Sequence, residues 1–474
     1  MKDINENFLR KANEIAREII KRNNFLVVSH YDADGVSACA IIIDLLKNLK
    51  KDVDFRIIKQ LDSTTIDEFK NSRDKTIIFT DMGSGQISLI EKSGIGDFFI
   101  LDHHMPEKEN EMQLNPMFYG YDGGLEISGS GVAYMVARAL NFRNMAHIAV
   151  VGSVGDMQDS QGKLESLNRV IAMDAINEGT LKIEKDIRLF GRQSRPLAQM
   201  LAYASDPLLP GICGDETAAF NFLQNLGIKL KRDDGLWKHY IDLNKEEKEK
   251  IISGIYMYLL DCDVPEYIIQ GIFGEVYTLL KEEERTELRD AKEFATLLNA
   301  CGRQNSSETG VYICLGDRKE YLKKAKNLLE KHRKALRQGI TYMKEKGVSG
   351  MSHLYYFDAS GIIDENIIGV ISGMGYGAKI FPPDKPIISF ADDKDNESMA
   401  KVSARANWSL VREGIHLGNA LRVASRFIGG EGGGHNIAAG AKIPKDKKGK
   451  FLEKLNEIFK EQISKKIRKC NLYS

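Results

Sequence analysis

Four short apolar runs in the first 156 residues each end close to acidic or imidazole side chains, and this pattern constrains the fold more than any other feature. The runs are FLVVS, TIIFT, DFFIL and IAVV, which predict strands over 25–29, 76–80, 97–101 and 148–151. Helical patterns over 38–49 and 86–92 follow the first two. Strands that alternate with helices indicate an α/β domain with a mostly parallel sheet.

The groups that follow the four runs share one kind of chemistry, since each is a carboxylate or an imidazole. In order they are His30, Asp32 and Asp34, then Asp81, then Asp102, His103 and His104, and finally Asp156. Ligands of open α/β sheets bind beyond the carboxyl ends of the strands. We therefore expect four strands to bring these side chains to one edge of one sheet.

The donor types predict a site for two divalent metal ions. If the chain is extended through His30, Asp32 and Asp34, alternate side chains point the same way and all three lie on one face. Oxygen and nitrogen donors without thiolate suit Mn²⁺ well, and Mg²⁺ or Zn²⁺ less specifically. Two such ions activate a water molecule and neutralise charge that develops on a phosphoryl group.

In this order the motifs resemble those of the DHH phosphoesterase superfamily, and within it the archaeal RecJ-like nucleases. The resemblance implies that six residues bind metal: His30, Asp32, Asp34, Asp81, His103 and Asp156. It further implies that Asp81 and Asp156 bridge the two ions. His104 would contact the scissile phosphate or protonate the leaving oxygen, and Asp102 would orient a ligand histidine.

A second group of motifs lies near the end of the chain. Ser403 and Arg405 alternate along a predicted strand, and the glycine run 429–434 ends at His435. Glycines allow backbone N–H groups to approach a phosphate closely, although this run fits neither a P-loop nor a dinucleotide fingerprint. Together these features resemble the DHH-associated C-terminal domain, which implies a nucleotide-binding role for Ser403, Arg405, Gly432, Gly433, Gly434 and His435.

Two further segments carry predictions about binding. The helical pattern over 289–303 resembles a segment of the archaeal nucleases and suggests substrate contacts by Asn299 and Arg303. The Ser128-Gly-Ser-Gly131 sequence precedes another helical pattern, where backbone N–H groups can hold an anion or simply form an ordinary helix cap.

The predicted architecture is α/β in three parts. Residues 1–193 form an N-terminal DHH domain, 194–346 a helical middle segment that includes a long connecting helix, and 347–474 a smaller α/β DHH-associated substrate-binding domain. Helices are expected over 1–20, 246–260, 277–298, 318–346 and 451–467. Strand-like sequence covers 353–359, 365–375, 386–393 and 399–407.

Composition limits the possible partners and location. Lys plus Arg and Asp plus Glu each number 67, so the formal net charge is zero and any nucleic-acid footprint must be local. The six cysteines include no C-x-x-C pair, which is typical of a reduced cytoplasmic protein without disulfides. No apolar run approaches the roughly 18 to 20 residues of a membrane span, and the N-terminus lacks the apolar core of a signal peptide.

The sequence thus predicts a metal-dependent exonuclease that cleaves single-stranded DNA or RNA, with two Mn²⁺ ions, or Mg²⁺ in their place. One alternative is a phosphodiesterase for short oligonucleotides or cyclic dinucleotides. The pyrophosphatase branch of the superfamily is disfavoured by the His30-x-Asp32 spacing. The resemblance also allows a replication-fork scaffold that binds GINS and the helicase, and it leaves polarity, sugar preference and oligomeric state open.

Overall fold

The computed structural model describes residues 4–72, 74–204, 209–262, 264, 266–377, 380–394 and 396–470. The chain divides into two compact units, Met1–Leu329 and Glu330–Ser474. No described helix is long and apolar enough to span a membrane. The five cysteines whose side chains are described are free thiols.

The first unit contains the parallel sheet and most of the helices. Its elements are α1 (Glu6–Ile20), β1 (Asn24–His30), α2 (Ala33–Asn48), β2 (Asp52–Ile58), α3 (Ser63–Asp67), β3 (Thr76–Thr80), α4 (Ile87–Lys92), β4 (Phe98–Leu101), β5 (Gln113–Leu114), α5 (Gly129–Ala139), α6 (Ala146–Gly155), α7 (Ser166–Asn177), β6 (Leu181–Ile187), α8 (Leu197–Ala202), α9 (Glu216–Asn225), α10 (Lys245–Asp261), α11 (Glu266–Gln270), β7 (Phe273–Leu279), α12 (Ala291–Arg303), α13 (Ser307–Cys314) and α14 (Glu320–Lys346), the last of which extends past Leu329.

The five-stranded sheet has the order β2-β1-β3-β4-β5, and every strand pair in it is parallel. The mostly parallel sheet predicted from the sequence is therefore confirmed. From β1 the chain passes through α2 to β2 on one side, and then returns to β3 on the other side of β1. The strand order reverses between β1 and β3, which is where ligands bind in such sheets.

Both faces of this sheet are covered, because alternate side chains of β1 belong to different apolar cores. Phe25 and Val27 pack in the core formed with α2, α5 and α6, whereas Leu26 and Val28 pack in a second core with α3 and α4. Strands buried on both faces read as continuous apolar runs, as FLVVS does. Burial on both sides fixes where β1 ends and hence where the motif after it begins.

The prediction of a fourth strand over 148–151 is wrong, since these residues lie in the middle of α6. Nearly every residue from Ala146 to Val154 is buried, so the apolar run shows neither a polar face nor an alternating pattern. Periodicity alone does not distinguish a buried helix from a buried strand in such a run. Three strands and the carboxyl end of one helix therefore supply the acidic groups.

Two strands of the sheet, β2 and β5, were not identified from the sequence. The predicted helix over 277–298 is also wrong, because β7 ends at Leu279 and α12 begins at Ala291. Strand β7 pairs antiparallel with β6, which lies almost a hundred residues earlier in the chain. Such a distant partner leaves no local signal.

The segment between β6 and β7 has an apolar core of its own. The predicted helices over 246–260 and 318–346 are confirmed as α10 and α14.

The second unit is a six-stranded mixed sheet with helices. Its remaining elements are β8 (Ser349–Gly350), β9 (Tyr355–Asp358), α15 (Ile368–Gly377), β10 (Ile387–Asp392), β11 (Met399–Arg405), α16 (Trp408–Arg412), α17 (Leu417–Phe427), β12 (Glu431–Gly434), β13 (Ala438–Pro444) and α18 (Lys448–Cys470). The strand order is β12-β13-β11-β10-β9-β8. The strand-like sequence over 365–375 is in fact the apolar helix α15, whereas the predicted strands over 353–359, 386–393 and 399–407 are confirmed.

Tyr277 tests the placement of β7. Its buried hydroxyl accepts a hydrogen bond from the Leu164 N–H (2.7 Å) and donates to Glu275 (3.0 Å). Tyr277→Phe leaves this N–H without a partner, which costs about 1–3 kcal/mol. We expect that loss in urea unfolding followed by circular dichroism. The control Tyr256→Phe, whose hydroxyl makes only a 3.4 Å contact at the surface, should change stability by less than about 0.5 kcal/mol. Equal midpoints for the two variants would contradict the placement.

Candidate metal centre and nucleotide-binding sheet

The first motif is divided between the end of β1 and the start of α2. His30 is the last residue of β1, and Asp32 is the N-cap of α2, where its side chain accepts a hydrogen bond from the Gly35 N–H (3.0 Å). The Nδ1 atom of His30 lies 3.0 Å from Asp32 Oδ2. Asp34 is already in the first turn of the helix, so the prediction of an extended segment with three side chains on one face is wrong.

Asp34 is held by the start of another helix. Its Oδ2 accepts a hydrogen bond from the Gly129 N–H (2.6 Å), and its Oδ1 accepts one from the Ser130 N–H (3.0 Å). The predicted anion site at the start of α5 is thus occupied by a carboxylate of the chain itself, while Ser128 also caps the helix. A Cβ atom at Gly152 would lie 2.6 Å from Asp34 Oδ1, so only glycine fits there.

Asp81 follows β3 with a backbone φ of 57°, a left-handed conformation that is uncommon for a residue with a side chain. Its Oδ2 lies 3.6 Å from His30 Nδ1, and its Oδ1 lies 3.2 Å from His103 Nε2. Oδ1 is fully buried and accepts no hydrogen bond of good geometry from any described residue. The two oxygens of one carboxylate therefore face two different histidines.

His103 is oriented by a backbone carbonyl on one side. Its Nδ1 donates a hydrogen bond to Gly123 O (2.5 Å). The other ring nitrogen, Nε2, therefore faces the carboxylates and lies 3.8 Å from Asp34 Oδ2. Gln158 donates to the same carbonyl (2.9 Å) and to Asp156 Oδ2 (2.8 Å). Asp156 is the C-cap of α6, where the helix dipole disfavours a negative charge.

Asp102 is fully buried and forms a hydrogen bond with the ring of His104. Its Oδ1 accepts a hydrogen bond from His104 Nδ1 (2.8 Å), and its Oδ2 accepts one from the Ser84 N–H (2.9 Å). From His103, the Asp102 carboxylate accepts a hydrogen bond only from the backbone N–H (2.8 Å), and none from the ring. The ring that Asp102 orients is thus that of His104, whose side chain is 47% exposed, and not that of His103.

A set of donors formed by Asp81, Asp102, His103 and His104 connects two separate groups that together contain the six predicted ligands. One contains His30, Asp32 and Asp81, and the other contains Asp34, His103 and Asp156; within each group the candidate donor atoms lie within 4.8 Å of one another. Asp81 also approaches His103 in the second group. These residues fit two divalent ions, because four carboxylates balance four positive charges, each group offers one imidazole, and Asp81 Oδ1 lacks a hydrogen-bond partner among the described residues.

The electrostatics of the cluster favour the binding of cations, because its buried carboxylates repel one another. Burial and the neighbouring carboxylates of Asp81 and Asp156 raise the pKa of Asp34 to about 7. Burial, together with Asp81 and Asp32, raises the pKa of Asp156 to about 6, although His103 opposes this shift. Burial alone would lower the pKa of His103, but Asp81, Asp156 and Asp34 raise it well above its ordinary value.

Asn299 and Arg303 lie beside the first motif, at the end of α12. Asn299 Oδ1 accepts a hydrogen bond from the Ala33 N–H (2.9 Å), the first residue of α2. Burial lowers the pKa of Arg303, and the nearby Tyr31 and Asp32 oppose the shift. Asn299 therefore positions α2, and substrate contact by either residue stays a prediction.

In the second unit, Ser403 and Arg405 share one face of β11, as predicted. A Cβ atom at Gly369 of α15 would lie 2.5 Å from Ser403 Oγ and 2.4 Å from Arg405 Nη2. Ser403 is in register with Gly440 of β13, which in turn is in register with Gly433 of β12. The glycine run is thus two strands from Ser403, about 10 Å away.

The glycine run itself is largely a strand, since Gly432, Gly433 and Gly434 belong to β12. No atom lies within 4 Å of a Cβ atom built at Gly433, so the sheet is open there. His435 directly follows the strand and is exposed, and its N–H donates to Ala438 O (2.8 Å). The first unit thus brings together ten of the predicted site residues and the second unit the other six.

Several residues that shape the two sites were missed. They are Gly123, Gln158 and Gly369. Gly123 and Gly369 show no local motif, because what excludes a side chain there is a group distant in sequence. Gln158 lies only two residues after Asp156, and its carboxamide was the one signal that could have been noticed.

Family models match three parts of the chain. The DHH family N-terminal domain matches residues 24–153, the DHH-CID domain matches 189–273, and the DHHA1 domain matches 363–461. The protein MJ0831 of Methanocaldococcus jannaschii is 32% identical over 462 residues, which cover 95% of this chain and 96% of the relative. The chain belongs to the DHH family. It is a RecJ-like member, as the sequence motifs predicted.

More distant relatives include RecJ proteins. The single-stranded-DNA-specific exonuclease RecJ of Bacillus subtilis is 26% identical over 178 residues, which are 34% of this chain and 22% of RecJ. Crystalline RecJ of Thermus thermophilus in complex with Mn²⁺ has a TM-score of 0.58 at 15% identity and covers 96% of this chain, which spans 55% of that protein. CDC45 of Entamoeba histolytica has a TM-score of 0.60 at 14% identity and covers 96% of this chain and 98% of its own. These structures share the fold.

Asp81→Asn tests whether Asp81 is a ligand shared by both donor groups. Because the two Asp81 oxygens approach His30 and His103 separately, we expect the variant to weaken Mn²⁺ binding in both groups at least about tenfold. Electron paramagnetic resonance of free Mn²⁺ measures the stoichiometry and affinity. The control Asp67→Asn changes an exposed carboxylate and should bind like the wild type. Unchanged binding by Asp81→Asn, with an intact circular dichroism spectrum, would reject the assignment.

Metal binding should depend on pH. Ions require ionised carboxylates and neutral imidazoles, and Asp34 and Asp156 have pKa values raised to about 7 and about 6. Protons therefore compete with metal increasingly as the pH falls, and metal binding releases them. We expect Mn²⁺ to raise the melting temperature more at pH 8 than at pH 5.5. An equal rise at both values would contradict the coupling.

Proposed function

We propose that the protein is an exonuclease that hydrolyses phosphodiester bonds in single-stranded DNA or RNA, with two Mn²⁺ ions as its cofactor. One observation carries this proposal: Asp81 faces His30 with one oxygen and His103 with the other, between two sets of donors. Membership of the DHH family and the likeness to RecJ support phosphodiester hydrolysis.

The ligands would be the six residues predicted from the sequence: His30, Asp32, Asp34, Asp81, His103 and Asp156. When bound, two ions supply a nucleophilic water molecule at neutral pH and neutralise charge on phosphoryl oxygens. The chain itself fixes the ligands, through the α5 backbone N–H groups on Asp34 and the Gly123 carbonyl on His103. Mg²⁺ can bind to the same carboxylates, but it has a weaker preference than Mn²⁺ for imidazole ligands.

His104 is suited to donate a proton to the leaving oxygen. Asp102 holds its Nδ1, so Nε2 of this half-exposed ring remains available to a substrate. Burial opposes ionisation, but Asp102 outweighs it and raises the pKa of His104 to about 9. The ring is therefore an imidazolium at neutral pH, and a charged donor also stabilises a phosphate oxygen.

In the second unit we propose that the face formed by Ser403, Arg405 and the glycines of β12 binds a phosphate of the substrate strand. The Arg405 guanidinium is suited to pair with phosphate oxygens. The open sheet at Gly433 lets a sugar–phosphate backbone approach without steric conflict. Binding by GINS or a helicase, predicted from the resemblance, remains a prediction as well.

Cleavage of labelled strands tests the proposal. Single-stranded DNA and RNA, labelled at the 5′ or 3′ end, are incubated with Mn²⁺, beside a chelator control, Asp81→Asn and the matched Asp67→Asn. We expect a metal-dependent ladder that is lost with Asp81→Asn and retained with Asp67→Asn, because only Asp81 contacts both donor groups. Dinucleotides and cyclic dinucleotides are included. Their exclusive cleavage would replace the exonuclease proposal by the short-substrate phosphodiesterase, and no cleavage of any substrate would overturn both.

His104→Gln separates proton donation from metal binding. We expect kcat to fall about 10²- to 10⁴-fold while Mn²⁺ affinity stays within about twofold, because the variant removes the charged donor but no ligand. The activity of the variant should also lose the decline that the wild type shows as the pH rises and the His104 imidazolium is deprotonated. A proportional loss of bound metal would instead make His104 a ligand.

A further inference from the structure

The outer face of α17 combines exposed aromatic and cationic side chains in the second unit. Phe427 is 66% exposed and Val423 is 46% exposed, which is unusual for large apolar residues. Arg422 and Arg426 are exposed beside them at the same four-residue spacing. Residues four apart are neighbours on a helix surface, so this face presents one apolar row and one cationic row.

Among the residues that the structure describes, no carboxylate forms an ion pair with Arg422 or Arg426. Like charges four residues apart repel each other, so an anion between them would relieve that repulsion. Lys454 adds a third cation, with its Nζ 5.4 Å from the centre of the Phe427 ring and 3.0 Å from Glu457.

The same helix is fixed to the glycine strand at both of its ends. In its first turn, the Gly418 N–H donates to His435 O (2.9 Å), and a Cβ atom at Gly418 would lie 1.9 Å from Gly434 O. In its last turn, Ser425 O accepts a hydrogen bond from the Gly430 N–H (2.8 Å). Helix α17 packs with its buried side on the face of the sheet opposite to Ser403 and Arg405, because it shares a core with Val402 and Ala404. Its arginine and phenylalanine face points away from the sheet and reaches about 13 Å along the helix from Gly418.

We propose that this face of α17 is an auxiliary binding site for single-stranded nucleic acid, outside the site of cleavage. Arg422 and Arg426 would contact two phosphates, and the Phe427 ring would stack on a base. Positive charge interleaved with an exposed aromatic ring is the combination that binds strands without sequence preference. The inference rests on the proposed function, and it adds that affinity should increase with strand length.

Arg422→Gln/Arg426→Gln tests this site through the dependence on strand length. Fluorescence anisotropy of 4- and 20-nucleotide strands is measured with the full chain, which also carries Asp81→Asn to prevent cleavage. We expect the ratio of the affinity for the long strand to that for the short strand to fall about tenfold. The slope of log affinity against log salt for the long strand should become less steep by about 1.4, which is about 0.7 for each lost phosphate contact.

Two matched controls separate the site from general electrostatics and hydrophobicity. Lys344→Gln/Lys346→Gln removes two exposed charges elsewhere in the same unit and should leave the ratio unchanged. Phe427→Ala should weaken binding of the long strand about fivefold or more, whereas Ile362→Ala, at a side chain that is 59% exposed, should not.

The outcomes distinguish the two proposals. If the wild-type protein neither binds nor cuts strands, the proposed function fails and this inference fails with it. If the wild type cuts strands but Arg422→Gln/Arg426→Gln keeps the full length dependence, only the inference is overturned. An equal loss in the lysine control would likewise reject a specific site on α17, because it would show that net charge alone sets the affinity.

Discussion

Mutual repulsion among four carboxylates at one edge of a sheet is the constraint on which the rest of the first unit depends. Asp32, Asp34, Asp81 and Asp156 converge there, and burial makes their charges costly. The fold opposes this cost with helix N-terminal N–H groups on Asp32 and Asp34, and with imidazoles. Protein groups offset only part of it, which is why the cluster suits two divalent cations.

Much of the surrounding architecture keeps these groups in place. Gly152 leaves room for the Asp34 carboxylate, and Asn299 anchors the start of α2 from a helix nearly 270 residues later in the chain. The strained backbone of Asp81 directs its two oxygens to different histidines. Local conformations that are unfavourable in themselves persist because the packed elements around them leave no alternative.

The sequence predicted the chemistry of the site better than its supporting elements. The positions of side chains that follow strands, such as Asp81 and His103, could be predicted because the carboxyl ends of parallel strands lie at one edge of the sheet. Asp156 was assigned to the same site, but on a strand instead of helix α6, because a wholly buried run has no periodicity. Strand β7 and the glycines at 123 and 369 depend on partners distant in sequence, which leave no local pattern.

The pairing of β6 with β7 has a consequence for how this fold can change over time. The two strands are hydrogen-bonded along their whole length, so the segment between them begins and ends at neighbouring points of the first unit. The segment between them buries an apolar core of its own. An insertion or deletion in this segment can therefore be accommodated without displacing the parallel sheet.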